Sequence, residues 1–163
     1  MADITRVGVV GAGQMGNGIA QVFAVKGVDV VMLDISAEAA AKGLATITKS
    51  LDKFVSKEKM TGTERDAALK RISTGTDYAL FKDTQLVIEA ATENLELKRK
   101  IFQQIDAMRR ELGLTFLIVE HRLEMLFDFV DSVYAMHMGQ VIAYGAPDEV
   151  AQDAQVREVY FGE

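Results

Sequence analysis

The residues best placed to do chemistry lie between Val7 and Asp34, in the run VGVVGAGQMGNGIAQVFAVKGVDVVMLD. Gly11, Gly13 and Gly16 have the spacing G-x-G-x-x-G, and Asp34 closes the next apolar run. Set between a strand and a helix, and followed by that acid, the glycines point to a dinucleotide-binding βαβ unit. Gly11 allows a tight turn off the strand. Gly13 leaves room for backbone to approach a pyrophosphate, and Gly16 lets the helix lie close on the strand. The first amides of that helix then face the phosphates, and its dipole favours their charge. A carboxylate at Asp34 accepts hydrogen bonds from the adenosine ribose and repels a 2′-phosphate, which favours NAD over NADP.

Composition narrows the field. The chain has 163 residues, 49% hydrophobic and 26% charged, which suits one globular domain with a real core. A net charge of −6 without a basic block argues against nucleic acid as a partner. No cysteine is present, so disulfides and thiolate metal sites are excluded, and two histidines make a poor metal site. No apolar run reaches the roughly 20 residues of a membrane span and no signal segment precedes the first strand, so a cytoplasmic protein is expected.

These residues need strands and helices in alternation to position them, and the pattern supplies that. Val7–Val10 reads as a buried strand, with Met15, Ile19, Val22 and Phe23 at helical spacing behind the turn. Asp29–Leu33 reads as the second strand. Ser36 is placed to cap a long helix with Ala40, Leu44, Ile47, Leu51, Phe54 and Val55 on its apolar face. Thr61-Gly62-Thr63 breaks it, Glu64–Ile72 reads as a short helix, and Tyr78–Phe81 as a weak strand. Gln85–Ala90 is a stronger strand, and Leu97, Ile101, Ile105 and Met108 line the next helix. Leu114–Val119 is apolar, and Leu123, Leu126, Phe127 and Val130 form a further helical face. Ser132–Met138 and Gln140–Ala143 flank Gly139 as a hairpin, and Pro147 precedes a last helix. The expected fold is one α/β domain over residues 1–163: a doubly wound, mostly parallel, Rossmann-like sheet of order near 3-2-1-4-5-6. Gln85–Ala90, Leu114–Val119 and Ser132–Met138 occupy its 4-5-6 side, with an antiparallel hairpin at the edge.

GAGQMGNGIAQVFA, the acid in VMLDIS, and VIEAATENLELKRKIF closely resemble the amino-terminal half of the L-3-hydroxyacyl-CoA dehydrogenases, over residues 1–108. The resemblance implies that Gly11, Gly13, Gln14, Met15 and Gly16 hold the NAD pyrophosphate. It places Asp34 at the adenosine ribose and Glu93 and Lys98 beside the nicotinamide half, with Ile35 and Ala90 as further cofactor-binding residues. That family continues with an Asn-Thr-Ser-Ser strand end and a Gly-Met-His-Phe-Phe-Asn-Pro segment carrying the catalytic histidine, which this sequence lacks. Residues 112–163, with IVEH and MHMGQVIAYGAPDEV, instead resemble the carboxy-terminal end of branched-chain amino-acid ABC transporter ATPases. There is no G-x-x-x-x-G-K-[ST], so the phosphate-sensing role of the histidine matching His121 has nothing to act on. His137 reads as a hairpin residue. Two half-families joined within Ile105–Leu114 imply an engineered chimera, monomeric, binding the adenine half of NAD weakly and catalysing nothing. The alternatives are a structural object without ligand affinity and a natural truncated NAD-dependent hydroxyacyl-CoA dehydrogenase.

Overall fold

The computed structural model describes residues 3–91, 94–113, 115–120 and 126–162, with the side chains of Leu95, Leu97 and Leu112 left out. Its backbone divides into two compact units, Met1–Val119 and Glu120–Glu163.

The first unit is a five-stranded parallel sheet with helices around it. Strands β1 (Arg6–Val10), β2 (Asp29–Leu33), β3 (Ile72–Gly75), β4 (Leu86–Glu89) and β5 (Thr115–Ile118) run in the order 3-2-1-4-5. The order reverses between β1 and β4, so the carboxyl ends of these two strands flank the ligand crevice of a doubly wound sheet. β1 and β2 are in register from Arg6↔Asp29 to Val10↔Leu33, and β1 and β4 from Val7↔Leu86 to Val10↔Glu89. Both neighbours hold β1 centrally, which explains why its residues from Val7 onwards are all buried.

Each helix starts where its sequence says it can. Helix α1 (Gln14–Val25) follows Gly13 directly. Helix α2 (Ala37–Ser56) is capped by Ser36, whose hydroxyl accepts from the Ala39 amide at 3.1 Å. Thr61 does more than break the long helix. With Glu64 it forms a reciprocal capping box that starts α3 (Gly62–Lys70). On one side of the sheet Val7, Val9, Val30 and Met32 pack with Ala20 and Ala24 of α1 and Ile47 and Leu51 of α2. On the other side of β1 the Phe81 ring lies so close that a Cβ at Gly8 would come within 2.6 Å of it. Helix α4 (Leu95–Leu112) buries Ile101, Phe102 and Ile105.

Two expected elements differ. Tyr78–Phe81 is a 3₁₀ turn, begun by Asp77, whose side chain accepts from the Ala79 amide at 2.9 Å. The third strand is instead Ile72–Gly75, and it takes Ile72 out of the helix that the sequence pattern predicts. ISTG is short, and its strand geometry comes from pairing with Val30–Leu33, a non-local partner that local spacing does not reveal.

The second unit is built on the expected hairpin. Strands β6 (Val133–His137) and β7 (Gln140–Gly145) pair antiparallel, turning through Met138 and Gly139, both at positive φ. The pairing makes them a two-stranded sheet of their own, so the sixth strand of the expected order belongs to this second sheet. Val133 and Ala135 pack with Val150 of α5 (Pro147–Gln152) and with Val156. The Tyr160 hydroxyl donates to the Met136 carbonyl at 2.6 Å.

Candidate functional site

The site starts from the turn between β1 and α1. Gly11 has φ +98°, and its amide donates to the Leu33 carbonyl at 2.7 Å, tying the turn to the end of β2. A Cβ there would lie 2.5 Å from Ala91 Cα, so positive φ and close backbone approach both call for glycine. Gly16 is more tightly constrained, because a Cβ would sit 1.8 Å from the Gly11 carbonyl oxygen. Gly13 is the opposite case. Among the described residues, nothing lies within 4 Å of where its Cβ would be. Packing does not explain a glycine there, whereas an approaching ligand does.

Gly13 is also the N-cap of α1. It contributes no side-chain cap, and the first turn carries no acidic residue. The α1 terminus therefore keeps its positive end open to an anion. Gln14 and Met15 follow on that exposed turn, with Met15 62% exposed. Asn17 steadies the turn by donating its side-chain amide to the Gly13 carbonyl at 2.7 Å.

Asp34 stands at the carboxyl end of β2. One carboxylate oxygen accepts from the Ala12 amide and the other from the Ile35 amide, each at 2.7 Å. The acid thus fixes the glycine turn from below, and each oxygen retains capacity to accept from a ribose hydroxyl. Ile35 beside it is 77% exposed. Ala90 ends β4 by donating its amide to the Val10 carbonyl at 2.9 Å.

Two cavities meet at Asp34. The larger, of about 530 Å³, is lined by Gly11, Asp34, Ile35, Tyr78, Ala91 and Lys100, with further walls from β1, β2 and α4. The smaller, of about 410 Å³, lies between α1 and α2 and is lined by Gly13, Gln14, Asn17, Asp34 and Lys42 among others. α2 approaches closely here because position 43 is glycine: a Cβ would come within 2.6 Å of Ala12 Cβ. The sequence pattern places Tyr78 only in a weak strand, yet it faces the larger cavity. Burial, with the negative charges of Glu89 and Asp34, raises its hydroxyl pKa above the usual tyrosine value.

Among the expected cofactor residues, Gly11, Gly13, Gln14, Met15, Gly16, Asp34 and Ile35 come together at the turn and β2, with Ala90 at the end of β4. Glu93 and His121 lie outside the described residues. Lys98 is on the first turns of α4 but is buried, its ammonium 3.6 Å from an oxygen of the buried Glu89 and 5.9 Å from the Phe102 ring centre. His137 ends β6, as its sequence setting implied. Among the described residues no group of His, Asp and Glu could hold a metal ion, and no helix is long and apolar enough to cross a membrane.

An open helix terminus over a glycine turn, with an acid at the end of β2 and a cavity at the strand-order reversal, defines a dinucleotide-binding domain of the doubly wound class. Residues 6–114 match the family described as "3-hydroxyacyl-CoA dehydrogenase, NAD binding domain", and the chain belongs to that family. Its cofactor is accordingly NAD. A 3-hydroxybutyryl-CoA dehydrogenase of Bradyrhizobium diazoefficiens is 48% identical over 107 residues, covering 66% of this chain and 36% of the relative. One from Mycobacterium tuberculosis is 47% identical over 107 residues, covering 65% of this chain and 37% of the relative. The crystal structure of (S)-3-hydroxybutyryl-CoA dehydrogenase from Ralstonia eutropha superposes with a TM-score of 0.62 at 55% identity, covering 64% of this chain and 37% of that one. The chain thus spans about a third of the length of these relatives.

These findings correct two expectations. The reading as an engineered chimera is overturned by identity of this order to natural dehydrogenases across two thirds of the chain. The reading as a non-enzyme is overturned by the same relatives, which are named as dehydrogenases. A missing catalytic segment does not mean missing chemistry, because the match covers the cofactor-binding part of longer relatives. The second resemblance is supported more narrowly than expected: residues 140–163 match the family described as "Branched-chain amino acid ATP-binding cassette transporter".

Proposed function

We propose that this chain is the cofactor-binding part of a natural NAD-dependent 3-hydroxyacyl-CoA dehydrogenase, acting on short-chain substrates of the 3-hydroxybutyryl-CoA type. The observation that carries the proposal is Gly13. Its side is open while Gly11 and Gly16 are closed in, and it sits on an uncapped helix terminus. That combination fits a diphosphate, which needs both the space and the amides.

NAD, when bound, accepts the hydride from the carbon bearing the substrate hydroxyl. The chain's own residues hold and orient it. The turn from Gly11 to Gly16, with the amides at Gln14 and Met15, takes the pyrophosphate. Asp34 accepts from the ribose hydroxyls and turns away a 2′-phosphate, and Ile35 covers the adenosine. Ala90, Glu93 and Lys98 serve the nicotinamide side, Lys98 as a positioning residue through Glu89. A base for the substrate hydroxyl and a CoA pocket are expected from the part of the family's length that this chain does not span. The family match of residues 140–163, which takes in the second strand of the hairpin, supports an ATPase-like segment at this end of the chain. The sequence has no phosphate loop to give that hairpin ATP chemistry.

Calorimetric titration with NAD, NADH and NADP tests the proposal. NAD and NADH should bind more tightly than NADP, and Gly13→Val should abolish the signal. Absence of binding by the unaltered chain, or unchanged binding in Gly13→Val, would overturn it.

A further inference from the structure

The second unit packs one face of its hairpin and leaves the other bare. Val133, Ala135, Ile142 and Ala143 pack with Val150 and Val156. Directly paired residues of an antiparallel sheet share a face, so Tyr134 with Tyr144, and Met136 with Val141, lie on the opposite one. The register shift at Ala135/Met136 produces this arrangement. It skips Ile142 in the pairing, which joins Ala143 on the packed side, and sets Val141 outward beside Met136. The four outward residues are each 52–62% exposed, and Met138 at the turn is 90% exposed. The Tyr134 and Tyr144 rings are stacked, with centroids 4.2 Å apart and planes 29° from parallel, so the largest side chains of the face are already ordered.

Charge and area say what covers this face. Neither strand carries an Asp, Glu, Lys or Arg. A cationic partner would find no carboxylate there, and an anionic one no cation. Two copies of a chain with net charge −6 repel each other, and they meet at least cost where both surfaces are uncharged and apolar. At roughly 200 Å² for a whole tyrosine or methionine, the five side chains expose about 600 Å². Two such faces bury about 1,200 Å², the lower end of a specific protein–protein interface. A hairpin of two strands is also marginal by itself, and a second sheet stacked on it supplies the missing layer.

We propose that the outward face of the hairpin is a self-association surface, on which a second copy of this chain docks face to face about a two-fold axis. Tyr134, Tyr144, Met136 and Val141 of each copy form the contact, and Met138 borders it. The two sheets stack as in a β-sandwich, and the same patch serves both copies. Interfaces of this size are weak, so the dimer forms in proportion to concentration.

The test is sedimentation velocity on the full chain from low to high micromolar concentration. The mass should rise from monomer to dimer and stop there. Tyr144→Glu and Met136→Glu each place like charges across the two-fold axis, and should raise the dissociation constant at least about tenfold. Val22→Glu, at an exposed apolar position on α1, should leave it unchanged. Hydrogen peroxide footprinting gives a second reading on the unaltered chain. Oxidation of Met136 and Met138, relative to the exposed Met15, should slow as concentration rises, and the resulting sulfoxides should dissociate the dimer. A chain monomeric throughout, including one that instead binds phosphatidylcholine vesicles, would overturn the inference. So would a dimer that persists in both glutamate variants, or protection of Met136 and Met138 that does not depend on concentration.

Discussion

Gly13 and Gly16 lie three residues apart in one motif, yet the same substitution should do opposite things at each. In Gly16→Ala the new Cβ meets the Gly11 carbonyl oxygen at 1.8 Å and the Gly11 carbonyl carbon at 2.8 Å. Both are backbone atoms, so no rotamer change relieves the clash. Restoring a tolerable carbon–oxygen contact requires α1 to lift by roughly 1.4 Å. That lift would loosen Ala20 and Ala24 from Val7 and Val9. Inserting a methyl into a packed interior costs about 1–3 kcal/mol where side chains can yield, and this site should sit at the top of that range or above. In Gly13→Ala the new Cβ meets nothing within 4 Å, and the backbone at φ −68° and ψ −167° suits any residue. Alanine is a poorer N-cap than glycine but restricts the unfolded chain, so stability should stay within about 1 kcal/mol of the parent. NAD affinity should nevertheless fall at least about tenfold, because the methyl stands where the diphosphate must approach. Urea unfolding followed by circular dichroism measures the first quantity and calorimetry the second. Two results would refute the reasoning: a Gly13→Ala variant as destabilised as Gly16→Ala, or one that binds NAD like the parent.

Three further outcomes follow from other contacts. Asp34→Ala removes two 2.7 Å acceptors from the turn as well as the ribose contact, so it should lower both the melting temperature and NAD affinity, with the preference over NADP shrinking; NAD and NADP titrations on the variant check this. Lys98→Ala leaves Glu89 buried without its ammonium and should cost about 3–5 kcal/mol in urea unfolding, much of it regained in Lys98→Met/Glu89→Gln. Thr61→Ala removes the cap of α3 and should cost about 1 kcal/mol. Hydrogen bonds from the Thr61 amide and hydroxyl lower the Glu64 pKa in the folded protein, so that contribution is complete above the ordinary glutamate range and fades as pH falls through the lowered value. The stability difference between parent and Thr61→Ala, followed from neutral to acid pH, should therefore shrink.

What sequence revealed and what it hid divide along one physical line. The turn, α1 and Asp34 are consecutive along the chain, and each glycine's reason is either local or a contact inside one βαβ unit, so spacing alone could locate them. Ile72–Gly75 is a strand only because Val30–Leu33 pairs with it, and Tyr78–Phe81 is a turn because the Asp77 side chain bonds the backbone two residues on. Neither cause shows in hydrophobic periodicity. The larger cavity at Asp34 was hidden for the same reason. Tyr78 follows β3 and Lys100 and Gln104 lie on α4, and the sheet order that sets β1 between β2 and β4 brings the two segments to one cavity. Lys98 is selected by resemblance and type, and the fold sets it beside the buried Glu89, while Lys100 two positions on lines the larger cavity. A residue's role in binding is fixed by which side of its element the fold turns outward. That is why the glycine turn and Asp34 could be read one residue at a time, while the larger cavity needed the sheet order first.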